Sequence, residues 1–211
     1  MAETRRLNFA NAVQNCLTSG EYSDLIIKCG DDVYKVHKVI VCTQAGFFAR
    51  AIKFGGKETQ ENVIDLPDDE PKVIVALVHY LYLGTYDGEF SGTPPEPEQP
   101  LVINLGARGS SSQLLNHSKM YAIADKYDVT GLRELASKNF TLACKIFWDD
   151  AAFATAVDHV FSSTLPTDTG LRSIIIETIS NNMTLVHKEE IQAMVGKHSD
   201  LAVGVLLKKA S

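Results

Sequence analysis

Residues 23–38, SDLIIKCGDDVYKVHK, constrain the fold more than any other stretch of the chain. An apolar run at Leu25, Ile26 and Ile27 stops at a turn signal, Gly30-Asp31-Asp32, and apolar character resumes at Val33, Tyr34 and Val36. Two strands joined by a tight turn satisfy this pattern, so the fold must accommodate a β-hairpin. From Lys38 the period changes. Val39, Ile40, Val41 and Cys42, followed by Phe47, Phe48, Ala51 and Ile52, suit short buried helices with a break near Gly46.

The segment NVIDL at 62–66 reads as a third strand and PDDEP as a turn whose Asp68 or Asp69 can cap the next helix. That helix, KVIVALVHYLYLG, carries Val73, Leu77, Tyr80 and Leu81 at helical spacing and ends at Gly84. Between residues 85 and 113 the composition collapses into proline, glycine and serine, four of the seven prolines included. This predicts a flexible surface insertion, with LVINL as an edge strand inside it. Beyond Leu114 the pattern is helical. One helix starts at the candidate cap Thr130, and others are expected at 149–162, 168–183, 187–195 and 199–209, with Thr167 or Asp168 and Ser199 as caps.

The chain has 211 residues and a formal charge of −6, which argues against nucleic-acid binding because its basic clusters, Arg5-Arg6 and Lys208-Lys209, are small. It has no apolar run long enough to span a bilayer, and its N-terminus lacks the apolar core of a secretory signal. A cytoplasmic or nuclear location is the expectation. The four cysteines, 16, 29, 42 and 144, show neither CxxC spacing nor a dense framework, and read as reduced thiols acting as small buried hydrophobes.

His37 and Cys42 are the first candidates for chemistry. Five helical positions set their side chains about 140° apart, so a continuous helix would not join them as nucleophile and base. The expected roles are a hydrogen-bonded histidine at a strand-to-helix junction and a core cysteine. The remaining histidines have no metal-ligand spacing, GARGSSS and FGGKE lack the spacing of a phosphate loop, and PDDEP, WDD and HKEE suit solvated turns or helix starts. No catalytic, metal-binding or cofactor-binding residue is therefore assigned. The profile suits a protein whose work is association.

YSDLIIKCGDDVYKVHKVIVCTQAGFFARAI, ENVIDLPDDEP, YLYLG and YAIADKYDV stand in an order and spacing that resemble a BTB/POZ domain from about Leu7 to Phe140. The resemblance implies an α+β fold: a helical cluster flanked by a small three-stranded sheet, with further C-terminal helices. It also implies a division into an N-terminal helix at 1–19, the domain proper at 20–140 with its insertion at 85–113, and a helical extension at 141–211. Such domains are interaction modules, many of them homodimers, some of them scaffolds and some adaptors that bring substrates to cullin-RING ubiquitin ligases.

In dimeric members the helix before the first strand packs across the two-fold axis. Here Leu7, Ala10, Val13 and Leu17 offer that face, although the same helix could instead cover its own core. Asp24 and Lys38 match an acidic and a basic residue that line a charged pocket near the family's dimer interface. Cullin binders typically carry a hydrophobic residue two positions before a glutamate. Glu58 matches the glutamate, but the hydrophobic position falls on Gly56. Phe54 reaches that place only if the two glycines bend the loop back, and loss of a buried anchor removes a few kcal/mol from an interface. This departure favours a scaffold over a cullin adaptor. Ala45 stands where the family has a capping serine, a loss of about 1 kcal/mol unless Thr43 or Gln44 substitutes.

Overall fold

The computed structural model describes residues 2–93 and 109–210, with side chains from residue 9 onward. The chain separates into two compact units. One comprises residues 1–108 and 123–132; the other comprises 109–122 and 133–211. The strand LVINL expected at 101–105 and the side chain of Leu7 lie outside the described residues.

In the first unit, α1 (Ala2–Ser19) precedes the hairpin β1 (Leu25–Cys29) and β2 (Asp32–Val36). Gly30 closes the turn at φ 57°, a left-handed conformation that costs glycine nothing. Then follow α2 (Lys38–Gln44), α3 (Gly46–Lys53), α4 (Lys57–Glu61), β3 (Val63–Asp65) and α5 (Pro71–Leu83). The sheet order is β2-β1-β3, with β1 antiparallel to β2 and parallel to β3. The expected order of elements is observed, with α4 added.

Alternation along β1 puts Leu25, Ile27 and Cys29 into the core, where Ile64, Val36, Phe48, Ile74 and Leu77 are also buried. The unit is completed by the end of α6 (Ser112–Tyr127) and the start of α7 (Thr130–Phe147). Tyr127 stacks on Phe48 with ring centroids 5.1 Å apart.

Several expected caps are realised differently. At α5 the N-cap is Glu70, whose side chain makes no capping hydrogen bond to the helix, and Pro71 opens the helix. Asp69 turns inward instead, accepting hydrogen bonds from the Tyr127 hydroxyl and the Lys126 ammonium. Ala45 is the uncapped N-cap of α3, and neither neighbour substitutes. Thr43 donates to carbonyls of its own helix, and Gln44 donates to Ile40 O and Leu81 O. The N–H of Gly46, which no side chain caps, is satisfied by the carbonyl of Asp128, 3.2 Å away. Cys42 is half-buried rather than a core residue.

The second unit is all helical. It holds the start of α6, the rest of α7, α8 (Ala151–Ser163), α9 (Gly170–Asn181), a 3-10 turn (Met183–His187), α10 (Glu189–Lys197) and α11 (Ser199–Ala210). Asp150 caps α8 through Ala152 N–H at 2.9 Å. Thr130 and Ser199 are first helical residues, not caps, and at α9 the N-cap Thr169 makes no side-chain bond while Asp168 accepts from Gly170 N–H. Phe140, Phe153, Val157, Ile175 and Leu201 form the core. Arg172 is buried among them, donating to the carbonyls of Phe161 and Thr164 and pairing with Asp200. A buried guanidinium is tolerated because its donors are engaged in this way.

Candidate functional site

The strand-to-helix junction after β2 is built from polar groups that hold the α1–β1 turn. His37 is the N-cap of α2 and makes no cap bond with its own side chain. Asp24 does that work from fourteen residues away, its Oδ1 accepting the Lys38 N–H at 2.8 Å. The Lys38 ammonium donates to Asn62 Oδ1 at 2.5 Å. Asp24 and Lys38 are thus brought together through the backbone of Lys38. His37 Nδ1 lies 2.6 Å from the Tyr82 hydroxyl and Nε2 lies 2.7 Å from Glu21 O. These bonds pin residues 21–24 to residues 37–38.

Two large apolar side chains stand on the pinned segments. Tyr22 is 87% exposed and Val39 is 73% exposed. Tyr22 also holds a φ of 62°, which a bulky residue adopts at a cost of about 1 kcal/mol. Sequence reading missed both, since periodicity assigns Val39 to a core face and no motif marks a left-handed tyrosine. On α1, which packs against α5 of its own chain, Ala10, Val13 and Leu17 are half-buried and Phe9 is exposed. The helix therefore covers part of its own core and keeps apolar area on its outer side.

A second apolar projection lies at the end of α3. Phe54 is 87% exposed, the C-cap of that helix. Gly55 follows at φ 84°, a turn open to glycine, and Gly56 is the N-cap of α4. A Cβ built on Gly56 would lie 3.7 Å from the Phe54 ring and 3.1 Å from a Glu58 carboxylate oxygen. The loop bends so that the phenyl ring and the carboxylate flank the position that lacks a side chain. Thr59 holds the bend: its Oγ1 accepts from Gly55 N–H at 3.0 Å and donates to Ile52 O at 2.7 Å. The contribution of Thr59 had no sequence signal beyond a hydroxyl near a glycine pair.

The histidine and cysteine of the opening helices do not form a nucleophile and base. Both ring nitrogens of His37 are engaged elsewhere. The Cys42 thiol is pushed up by burial first and by the Asp24 charge second, which suppresses the reactive thiolate. Tyr82, buried against His37, is pushed up to about 12. Among the described residues, no group of three His, Cys, Asp or Glu side chains could hold a metal ion, and no helix is long and apolar enough to cross a membrane.

A family model for the BTB/POZ domain matches residues 13–94. The chain is similar to the BTB/POZ and MATH domain-containing protein 5 of Arabidopsis thaliana, 27% identical over 125 residues, covering 58% of this chain and 28% of that protein. It is similar to the mouse Germ cell-less protein-like 2, 30% identical over 98 residues, covering 46% of this chain and 20% of that protein. The human Rho-related BTB domain-containing protein 2 is 27% identical over 126 residues, 59% of this chain and 16% of its own length. The chain thus spans under a third of the length of each of these three relatives.

Proposed function

Since residues 13–94 form a BTB/POZ domain, a module for binding other proteins, we propose that this chain homodimerises through α1 and its neighbouring turn and works as a scaffold that gathers partner proteins. The observation that carries the reading is Tyr22, a large aromatic side chain held in a costly conformation and left 87% exposed on a segment anchored by four hydrogen-bonding groups, Asp24, His37, Tyr82 and Glu21. Backbone strain of this kind persists where the surroundings over-determine it and clusters at binding surfaces. Phe9 and Val39 add exposed apolar area, and Ala10, Val13 and Leu17 extend it along α1. The four unpaired thiols suit a reducing compartment, the cytoplasm or nucleus.

Light scattering at micromolar concentration tests this. A dimer of about twice the 23.1 kDa chain mass is expected, and Tyr22→Asp or Val13→Asp should return it to monomer with an unchanged far-UV spectrum. A wild-type chain that stays monomeric would remove the α1 interface.

A second reading, an adaptor that docks a cullin, is supported by the bent loop at 54–58. Phe54 stands beside Gly56 and offers there the apolar group that position 56 lacks, with Glu58 on the other side. Binding of a purified cullin N-terminal region at micromolar affinity, lost in Phe54→Ala and in Glu58→Ala, is the expected result under this reading. Absence of binding by the wild type would leave the scaffold alone.

A further inference from the structure

The small sheet ends in an open edge. The order β2-β1-β3 leaves β2 with a neighbour on one side. Hydrogen bonds elsewhere in the sheet show which backbone groups face outward. Ile26 N–H donates to Asn62 O and Leu66 N–H donates to Lys28 O, so the even-numbered residues of β1 address β3. Because successive residues of a strand alternate sides, Leu25, Ile27 and Cys29 address β2, where Val36, Tyr34 and Asp32 answer them in register. Val33 and Lys35 are left with N–H and C=O directed out of the sheet, and no hydrogen bond joins those groups to another described residue. The side chains of Val33, Lys35 and the turn residue Asp31 are all exposed.

We propose that β2 pairs edge to edge with β2 of a second copy of this chain, about a two-fold axis passing midway between the two Val33 residues, so that two three-stranded sheets become one. A two-fold axis normal to a sheet keeps its faces, and therefore sets odd-numbered residues opposite odd-numbered residues. Centred on Val33, it sets Val33 against Val33 and Asp31 against Lys35, the latter twice. Each copy supplies one acid and one base, and the outward N–H and C=O of Val33 meet their symmetry mates. Centred on Tyr34 instead, the axis sets Val33 against Lys35 and Asp32 against Val36, and no opposite charges meet. Charges on an edge strand repel most strands that approach it; here they select one partner and one register. Val33, 56% exposed, supplies the apolar contact at the centre. Lys35 passes beside Gly20 at the end of α1, but the paired edge is a different surface from the α1 face, and it joins α1 dimers to one another at concentrations above those at which the α1 dimer forms.

Sedimentation velocity over a concentration series, at low and high salt, tests the pairing. Val33→Pro removes a donor that points away from β1, so it leaves the β1–β2 ladder intact while blocking the edge, and should abolish this association. Asp31→Lys and Lys35→Asp each set like charges opposite each other twice and should weaken it on the order of tenfold. The double variant D31K/K35D should restore it, and high salt should weaken the wild type. Opposed residues of a hydrogen-bonded pair have Cα atoms about 5.5 Å apart, within disulfide reach. Val33→Cys should therefore cross-link under mild oxidation, whereas Lys28→Cys on β1 should not. An association untouched by Val33→Pro, a double swap no better than the single ones, or no self-association at all would overturn the proposal. An association lost in Val13→Asp alone would overturn it too, and would leave the α1 reading standing.

Discussion

Phe48 and Phe54 sit six residues apart on the same short helix and its cap, and they do opposite things. Phe48 is fully buried, stacked on Tyr127 and met edge-on by Phe47. Phe54 is 87% exposed and touches little but the loop that carries it. Burying a phenylalanine stabilises a fold by about 1.5–3 kcal/mol relative to leaving it in water, so α3 contributes through one end and not through the other. Yet the backbone that carries the exposed ring is held, because Thr59 ties it on both sides of Phe54. An apolar group on a braced backbone that is withheld from the core is better explained by a partner than by folding.

The comparison breaks most visibly at its buried end. Phe48→Ala should lower unfolding free energy by about 3–5 kcal/mol, read as a fall in the urea midpoint at unchanged slope. A loss under about 1 kcal/mol would mean that α3 is not anchored by this residue.

Tyr127, the other half of the stack, sharpens the point by chemistry. Burial foremost, and then its hydrogen bond to Asp69, push its hydroxyl well above the usual tyrosine range. The sign follows from linkage: with the folded pKa raised, stability is full below the unfolded value of about 10 and is lost as pH climbs above it, because the denatured chain releases a proton that the folded one keeps. Tyr127→Phe should cost about 1–2 kcal/mol at neutral pH and flatten the alkaline fall of the urea midpoint. An unchanged alkaline limb would assign that loss to the other raised groups, Tyr34, Tyr82 and Tyr121 and the thiols of Cys29, Cys42 and Cys144.

The buried end was legible and the exposed end was not. Turn signals and apolar runs announced the hairpin, β3, α5 and the C-terminal helices, because strand and helix periods are written in consecutive residues. Caps are less legible because the residue that caps need not be local. Asp24 reaches Lys38 across the hairpin, Asp128 O serves Gly46 across the unit, and Asp69 leaves its own helix for Tyr127. The sites suffered for the same reason. Gly56 was visible as a missing side chain, but whether Phe54 stands beside it depends on the φ of Gly55 and on a hydroxyl from the next helix. The apolar character of Val39 predicts a core position, yet its side chain is exposed.

Thr59→Val keeps the shape of the side chain and removes its hydroxyl. The loop should lose about 1 kcal/mol, since two backbone groups there are left to water, and hydrogen exchange at Gly55 should rise while exchange in α5 stays as it was. An unchanged Gly55 would mean that the bend holds without the threonine.

The smallest effect on stability is expected from Phe54→Ala, within about 0.5 kcal/mol of the wild type, the range of surface substitutions that remove no cap and no core contact. Its value lies in the contrast with Phe48→Ala on the same helix. A ring that contributes nothing to folding but whose removal measurably weakens capture of a partner acts only at an interface, and the double variant Phe54→Ala/Thr59→Val then separates the ring from its support. If the ring alone matters, the double variant binds as poorly as Phe54→Ala and no worse. If the bend also presents Glu58, binding falls further. Loss of more than about 1 kcal/mol of stability in Phe54→Ala would instead place the residue in the fold, and the division between the two ends of α3 would fail.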